Sequence, residues 1–314
     1  STVYFPGGKV TMLPEGAVAR ATLAAGRRVP AASLYLDVDP ASLEIAGAES
    51  RLDWITVADN LRLAELDQRL NEETVAQGRV EGPHGDDLFI LWKLAKFLKT
   101  ARGAAEERAD RPDYNIRVSE GRVAIEQRRR GTPVDTLVAE LMIHVNATWG
   151  KLLADRGYDA LYRNQKAGKT RMEVVPAAHE WLGVSHYAWV SSPLRRFCDL
   201  ANQRQLVALL RGDEPAYSRE DLVAAARDFE AAYEAYAEHQ RYLERYWCLR
   251  YLQQEGIETA DAAIVRDELV RIDGMPLTCR AIGLPSAASG ERVKVAFGEV
   301  DPWEAHVLCR YAGK

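Results

Sequence analysis

Long apolar runs, a charged-then-apolar leader and closely spaced cysteines are all missing from this chain, and each absence excludes something. No stretch approaches the roughly 18 consecutive apolar residues of a membrane-spanning helix, and the opening residues do not read as a secretory leader. A soluble protein without a membrane partner is expected. Cysteine is scarce: Cys198, Cys248, Cys279 and Cys309 lie far apart with no C-x-x-C pair. Neither a zinc site nor a disulfide framework is suggested, and a reducing cytoplasm fits. Positive charge is not in excess either. Lysine and arginine number 41 against 46 acidic residues, a net charge of −5. That balance argues against a protein that coats nucleic acid nonspecifically, yet it leaves room for a local basic channel. Arg128-Arg129-Arg130, the stretch with Arg163, Lys166, Lys169 and Arg171, and Arg195-Arg196 are the local clusters, and each also reads as ordinary solvated surface.

With 314 residues, 47% of them apolar, the chain can bury a large core and has room for one large and one small domain. Residues 1–55 mix short extended runs (33–37, 41–45) with Gly and Pro turns, and 56–73 and 86–109 read as helices separated by a polar segment. Residues 115–118 and 122–125 form a hairpin across Ser119-Glu120-Gly121. A helical stripe of Val138, Leu141, Met142, Val145, Trp149 and Leu152 predicts a core helix over 135–154. A longer helix is predicted over 219–255, capped by Ser218 with Asp221 and stopped by Gly256; Leu222, Phe229, Tyr236 and Leu243 repeat along it for about 55 Å. Beyond it, alternating runs at 277–282, 292–297 and 305–311 predict a small β-barrel. The fold class is therefore α+β, divided into domains at 1–256 and 257–314.

The most informative stretch is SHYAWVSSPLRRFCDL, residues 185–200. Ser192 suits an N-cap, Pro193 the first helical position, and Leu194, Phe197, Cys198 and Ala201 recur at helical spacing, which predicts a helix from about 193. Arg195 and Arg196 then fall in a first turn that already carries about half a positive charge, at a cost of up to about 1 kcal/mol. Two readings follow. Either Asp199 neutralises the pair on a solvated surface, or free amides, a serine hydroxyl and a guanidinium fork bind a phosphate.

The run Tyr187-Ala-Trp-Val-Ser-Ser-Pro-Leu-Arg-Arg-Phe-Cys-Asp199 resembles the signature of the ribonuclease II family of 3′→5′ exoribonucleases, a tyrosine followed by T-S-P-I-R-K/R-Y-x-D-L. Three more stretches agree in order. Residues 4–15 (YFPGGKVTMLPE) resemble the family's Y-L-P-x-x-x-I-P-M-L-P, residues 110–114 its D-R-P-D-Y, and LVAELM from Leu137, with Asn146, its I-V-E-E-x-M-x-x-x-N helix. Four ordered matches over about 200 residues are far more specific than any one alone.

The resemblance implies a ribonuclease II-like catalytic domain, here its C-terminal part, followed by an S1-type oligonucleotide-binding (OB) barrel as an RNA-binding module. It implies hydrolysis of single-stranded RNA to nucleoside 5′-monophosphates, with Mg2+ held by aspartates. Arg195 matches the family's catalytic arginine, with Ser192 and Arg196 beside it. Tyr4 matches its base-stacking tyrosine, and Trp54 falls where another aromatic is expected. Tyr187 and Glu140 sit within matched motifs. Glu238 stands one turn from the place of a family glutamate, which Arg241 occupies. Two departures concern grip on the last nucleotides: Arg108 replaces a phenylalanine, and Ala139-Glu140 replaces a glutamate pair.

The family's D-x-x-x-x-x-D-x-D-D run is absent from residues 1–314, so no metal ligands are assigned here and the chain alone is not expected to hydrolyse RNA. Asp37 and Asp39, or Asp86 and Asp87, are poor substitutes by position. The expectation is that an N-terminal segment of the same protein carries the acidic cluster and acts as a partner to this one, with the protein a monomer. The alternatives are an RNA-binding member that has lost catalysis, or a helical scaffold whose arginines serve only ion pairs. A nucleotide-binding loop at Gly168-Lys169-Thr170 is excluded by Arg163 where a glycine is needed.

Overall fold

The computed structural model describes residues 1–103, 113–285 and 288–313. The D-R-P portion of the second motif, residues 110–112, and Arg108 lie outside them. In chain order the elements are β1 (Val3–Phe5), β2 (Gly8–Val10), α1 (Glu15–Ala21), β3 (Arg28–Val38), β4 (Ile45–Thr56), α2 (Leu63–Arg69), α3 (Glu72–Ala76), α4 (Gly85–Ala101), β5 (Asp113–Ser119), β6 (Arg122–Arg128), α5 (Pro133–Asp155), β7 (Tyr162–Lys166) and β8 (Lys169–Glu173). They continue with α6 (Phe197–Arg211), α7 (Arg219–Glu255), β9 (Thr259–Arg266), β10 (Leu269–Ile272), β11 (Thr278–Ile282), β12 (Arg292–Asp301) and β13 (His306–Gly313). The chain divides into two compact units, one of residues 1–3, 10–108 and 131–232, the other of 4–9, 109–130 and 233–314.

In the first unit, β3 and β4 form one long antiparallel ribbon, with Pro30 opposite Trp54 and Leu34 opposite Ser50. The expected strand at 33–37 lies inside β3, whereas 41–45 is the connection: Asp39 takes the N–H groups of Ala41 and Ser42 into its carboxylate and turns the chain. The single helix expected over 56–73 is two short ones, because Asn71 caps a new start with a capping box to Thr74. α5 forms as expected, with Pro133 at its first turn and Thr132 accepting from the Asp135 amide. Of the predicted stripe, Trp149 is buried and Val145 and Leu152 pack against the same core, while Val138 is exposed; Ile143, Asn146, Gly150 and Leu153 complete the inward face. The inward row carries a buried asparagine that an apolar-only count skips. Trp149, Leu153, Tyr162, Ala188, Val190 and Leu206 make one core cluster, and Leu161, Met172, Cys198, Ala201, Leu222 and Ala226 another.

In the second unit, β5 and β6 pair from Asp113 opposite Arg128 to Ser119 opposite Arg122, the hairpin expected from sequence. Helix α7, of which 219–232 belong to the first unit and 233–255 to the second, is 37 residues long, with the Ser218 and Asp221 caps in place and Gly256 in the left-handed conformation that ends it. After it, five strands close into a barrel in the order β10-β11-β13-β12-β9. Sequence reading found three of those strands. It missed β9 and β10, where Ala262 and Ala263 dilute the β-branched signal. Val293 and Val295 point into the barrel with Ile264, Val270, Cys279 and Cys309, as the alternation required. A closed five-stranded barrel fits an OB or S1-like domain.

Candidate nucleic-acid interface

The strip from Tyr187 to Val190 is held on both sides by amide side chains. Asn146 on α5 donates from Nδ2 to the Tyr187 hydroxyl at 3.3 Å and accepts from the Val190 amide at 3.1 Å. Its own carbonyl takes the Ala188 amide at 3.3 Å. From α6, Asn202 donates to the Trp189 carbonyl and Gln203 to the Val190 carbonyl, at 2.9 and 2.7 Å. Gly150 lets the strip lie this close, because a Cβ there would stand 3.0 Å from the Ala188 nitrogen. The asparagine of the helix motif thus has a structural reason.

The helix expected from 193 does not form. Ser192 accepts the amides of both Arg195 and Arg196 through its carbonyl, closing a turn, and Arg196 is extended at φ −128°, ψ 126°. α6 begins only at Phe197. The physical reason is Asp199. Its Oδ1 takes the Ser192 amide at 2.7 Å and Arg196 Nη2 at 2.6 Å, so the carboxylate, not the serine hydroxyl, organises the chain before the helix. Neither arginine lies in a helical first turn, and the electrostatic penalty inferred from sequence does not arise; the residue that does lie there is the acidic one, which the dipole favours.

The two arginines have opposite environments. The Arg196 guanidinium carbon lies 4.1 Å from the Trp189 ring centre, and the side chain is paired to fully buried Asp199. Little of it is left to grip a ligand. Arg195 is exposed and has no ion-pair partner among the described residues, while its backbone is fixed by the Ser192 carbonyl on one side and the Thr2 amide, at 2.8 Å, on the other. Behind them, Arg163 is buried against Trp189 and paired to Glu230 at 2.8 Å, so it is not part of a solvated basic cluster.

The remaining expected residues divide. Trp54 is 64% exposed on β4, with Arg28 above its ring, rather than half-buried in a core. Tyr187 is half-buried, edge-on to His179. Glu140 is buried with both carboxylate oxygens on Arg102, at 2.6 and 2.7 Å, and Arg102 also reaches the Leu182 carbonyl. These belong to the first unit. Tyr4 and Glu238 belong to the second, where Tyr4 is exposed, its carbonyl accepts from Gln240 on α7, and Glu238 faces solvent. The reading in which Asp199 neutralises the arginine pair holds for Arg196, though with a buried carboxylate instead of a solvated one; Trp189 and the arginine stack on it were not singled out from sequence.

Magnesium does not fit the side chains of the described residues. Among the described residues no group of three or more His, Cys, Asp or Glu could hold a metal. Asp39 is spent on its turn, whose amides hold its carboxyl below the usual range. Asp86 and Asp87 sit in the first turn of α4, with His84 Nδ1 3.9 Å from Asp87. Gly168-Lys169-Thr170 makes the β7–β8 turn and strand, in keeping with the rejected nucleotide loop. Burial pushes the Cys198 thiol up to about 12, with Asp199 adding to it, so this cysteine is inert.

The family model for the RNB domain matches residues 1–173 and 167–212. The chain belongs to the RNB domain family. Among curated relatives of this RNB chain is the uncharacterized ribonuclease sll1290 of Synechocystis sp., 22% identical over 348 residues, covering 99% of the chain and 50% of the relative. The chain therefore spans about half the length of that relative. Mycoplasma genitalium RNase R superposes with a TM-score of 0.82 at 15% identity, over 99% of this chain and 62% of that one, and has been solved with single-stranded RNA as well. Yeast Ssd1, described as a pseudonuclease, matches at 0.67 and 17% identity over 90% of this chain and 42% of its own. The expected ribonuclease II-type fold is thus present, and RNB ribonucleases are hydrolases that act on RNA. No helix among the described residues is long and apolar enough to cross a membrane.

Proposed function

We propose that this chain is the RNA-gripping part of a 3′→5′ exoribonuclease that, as the intact protein, removes nucleoside 5′-monophosphates from single-stranded RNA. The observation that carries the reading is Arg195: an exposed guanidinium without a counter-ion among the described residues, on a turn whose backbone is fixed by Ser192, Asp199 and Thr2. A guanidinium fork so placed can take two phosphate oxygens and stabilise the charge that grows on them as the bond to water forms. The Ser192 hydroxyl stands beside it as a neutral donor. Tyr4 and Trp54 offer exposed rings for bases. Arg196 and Glu140 act from behind, the first by holding the turn and the second by holding Arg102, and Glu238 is one of the exposed acids of α7. We place the magnesium ligands outside these 314 residues, keep 257–314 as the RNA-binding module, and expect a cytoplasmic monomer.

The natural full-length protein, incubated with single-stranded RNA and Mg2+, should release nucleoside 5′-monophosphates from the 3′ end, and Arg195→Ala should abolish the release while leaving the fold intact. A second reading, an RNA-binding pseudonuclease, is favoured by the missing acidic cluster among the described residues and by the likeness to Ssd1. RNA binding without release in the full-length protein supports that reading instead.

A further inference from the structure

Trp303 is the most exposed large apolar side chain among the described residues, at 75%, yet its backbone is among the most firmly held. Between β12 and β13, Asp301 Oδ1 accepts the amides of Trp303 and Glu304, at 2.9 and 3.1 Å, and Pro302 is buried. From α7, the Tyr242 hydroxyl donates to the Trp303 carbonyl at 2.7 Å, and Arg245 donates to the carbonyls of Ala305 and Thr278, at 2.5 and 2.7 Å. The Tyr246 ring stands 5.2 Å from the indole. A side chain that packed merely for stability would not leave most of its surface in water while four hydrogen bonds fix the turn beneath it.

We infer that Trp303, with Tyr242, Tyr246, Arg241 and Arg245 of α7, forms a base-stacking platform for single-stranded RNA. Residues 241, 242, 245 and 246 share one helix face. Arg245 donates to the carbonyls of Ala305 and Thr278, and exposed Arg241 has no ion pair among the described residues. Aromatic rings interleaved with guanidinium groups suit a strand that offers flat bases and phosphates alternately. Glu238, Glu244 and Glu304 are exposed on the same helix and turn and oppose that attraction in part. The loop between the fourth and fifth barrel strands is one that OB folds use for oligonucleotides. On the same helix Gln240 holds the Tyr4 carbonyl at 2.9 Å.

This platform rests on the RNA-binding reading, and anisotropy of a labelled single-stranded oligoadenylate titrated with the chain tests the two separately. Trp303→Leu should weaken binding about 5- to 100-fold with an unchanged salt slope, since a stack carries no charge. Trp303→Phe should retain most of the affinity, and Arg241→Gln should flatten the salt slope by about 0.7. Absence of binding by the unaltered chain overturns the function proposed above and the platform with it. Binding that survives Trp303→Leu to within about twofold, or falls equally in Trp303→Leu and Trp303→Phe, overturns the platform alone.

Discussion

Asp199→Asn is the substitution whose consequence the structure defines most closely. The carboxylate is fully buried and accepts both the Ser192 amide and Arg196 Nη2. Breaking a buried ion pair from one side costs about 3–5 kcal/mol. Two features reduce that here. The asparagine oxygen can still take the Ser192 amide, and the Arg196 side chain keeps 21% of its surface in water, where it recovers part of its hydration. About 2 kcal/mol should remain, read as a lower urea midpoint with an unchanged slope, or as a fall of about 4–8 °C in melting temperature. The same variant should loosen the turn that carries Arg195 and weaken RNA binding although neither Asp199 nor Arg196 touches RNA. Arg196→Met provides the second edge of a double-mutant cycle, in which the combined variant should cost less than the sum by about 1 kcal/mol or more. Asp199→Asn within about 0.5 kcal/mol of the unaltered chain, or strictly additive costs, would refute the clamp.

Three other outcomes follow from the same geometry. Arg195→Lys keeps the charge but not the fork, so turnover by the full-length protein should fall on the order of 10²-fold; unaltered turnover removes Arg195 from the mechanism. His144 and His179 are both held below the ordinary 6.5, chiefly by burial, so their rings are neutral in the fold. The unfolded chain binds these protons first, so stability should be full above about pH 6.5 and decline as pH falls from there toward the lowered folded values. Urea midpoints taken from about pH 5 to about pH 8 should show that rise, and the His144→Gln, His179→Gln double variant should flatten it. Gly150→Ala should cost about 1–3 kcal/mol by pushing the 187–190 strip off α5, detected as a lower melting temperature with weakened RNA binding; a neutral effect would mean that the strip is not fixed there.

Much of the fold was legible because its signals are local. The capping residues of α7, the β5–β6 turn and the period-two alternation of β12 each act within a few residues, and the structure bears them out. Where sequence reading went astray, a distant or buried polar group decided the outcome. The start of α6 moved from 193 to 197 because Asp199 reaches back to the Ser192 amide, which a cap rule based on serine and proline cannot anticipate. The α5 stripe was read only in part because Asn146 and Gly150 belong to the buried face. For the candidate interface, the motif singled out Arg195 as the catalytic match with Arg196 beside it; that Arg196 stacks on Trp189 while Arg195 stands in water depends on packing that the motif does not carry.

The salt dependence of single-stranded RNA binding, compared between the unaltered chain and Arg195→Ala, tests the central claim most directly. An Arg195 that holds a phosphate predicts weaker binding in the variant and a slope of log affinity against log salt smaller by about 0.7. Identical slope and affinity in the two proteins would contradict it.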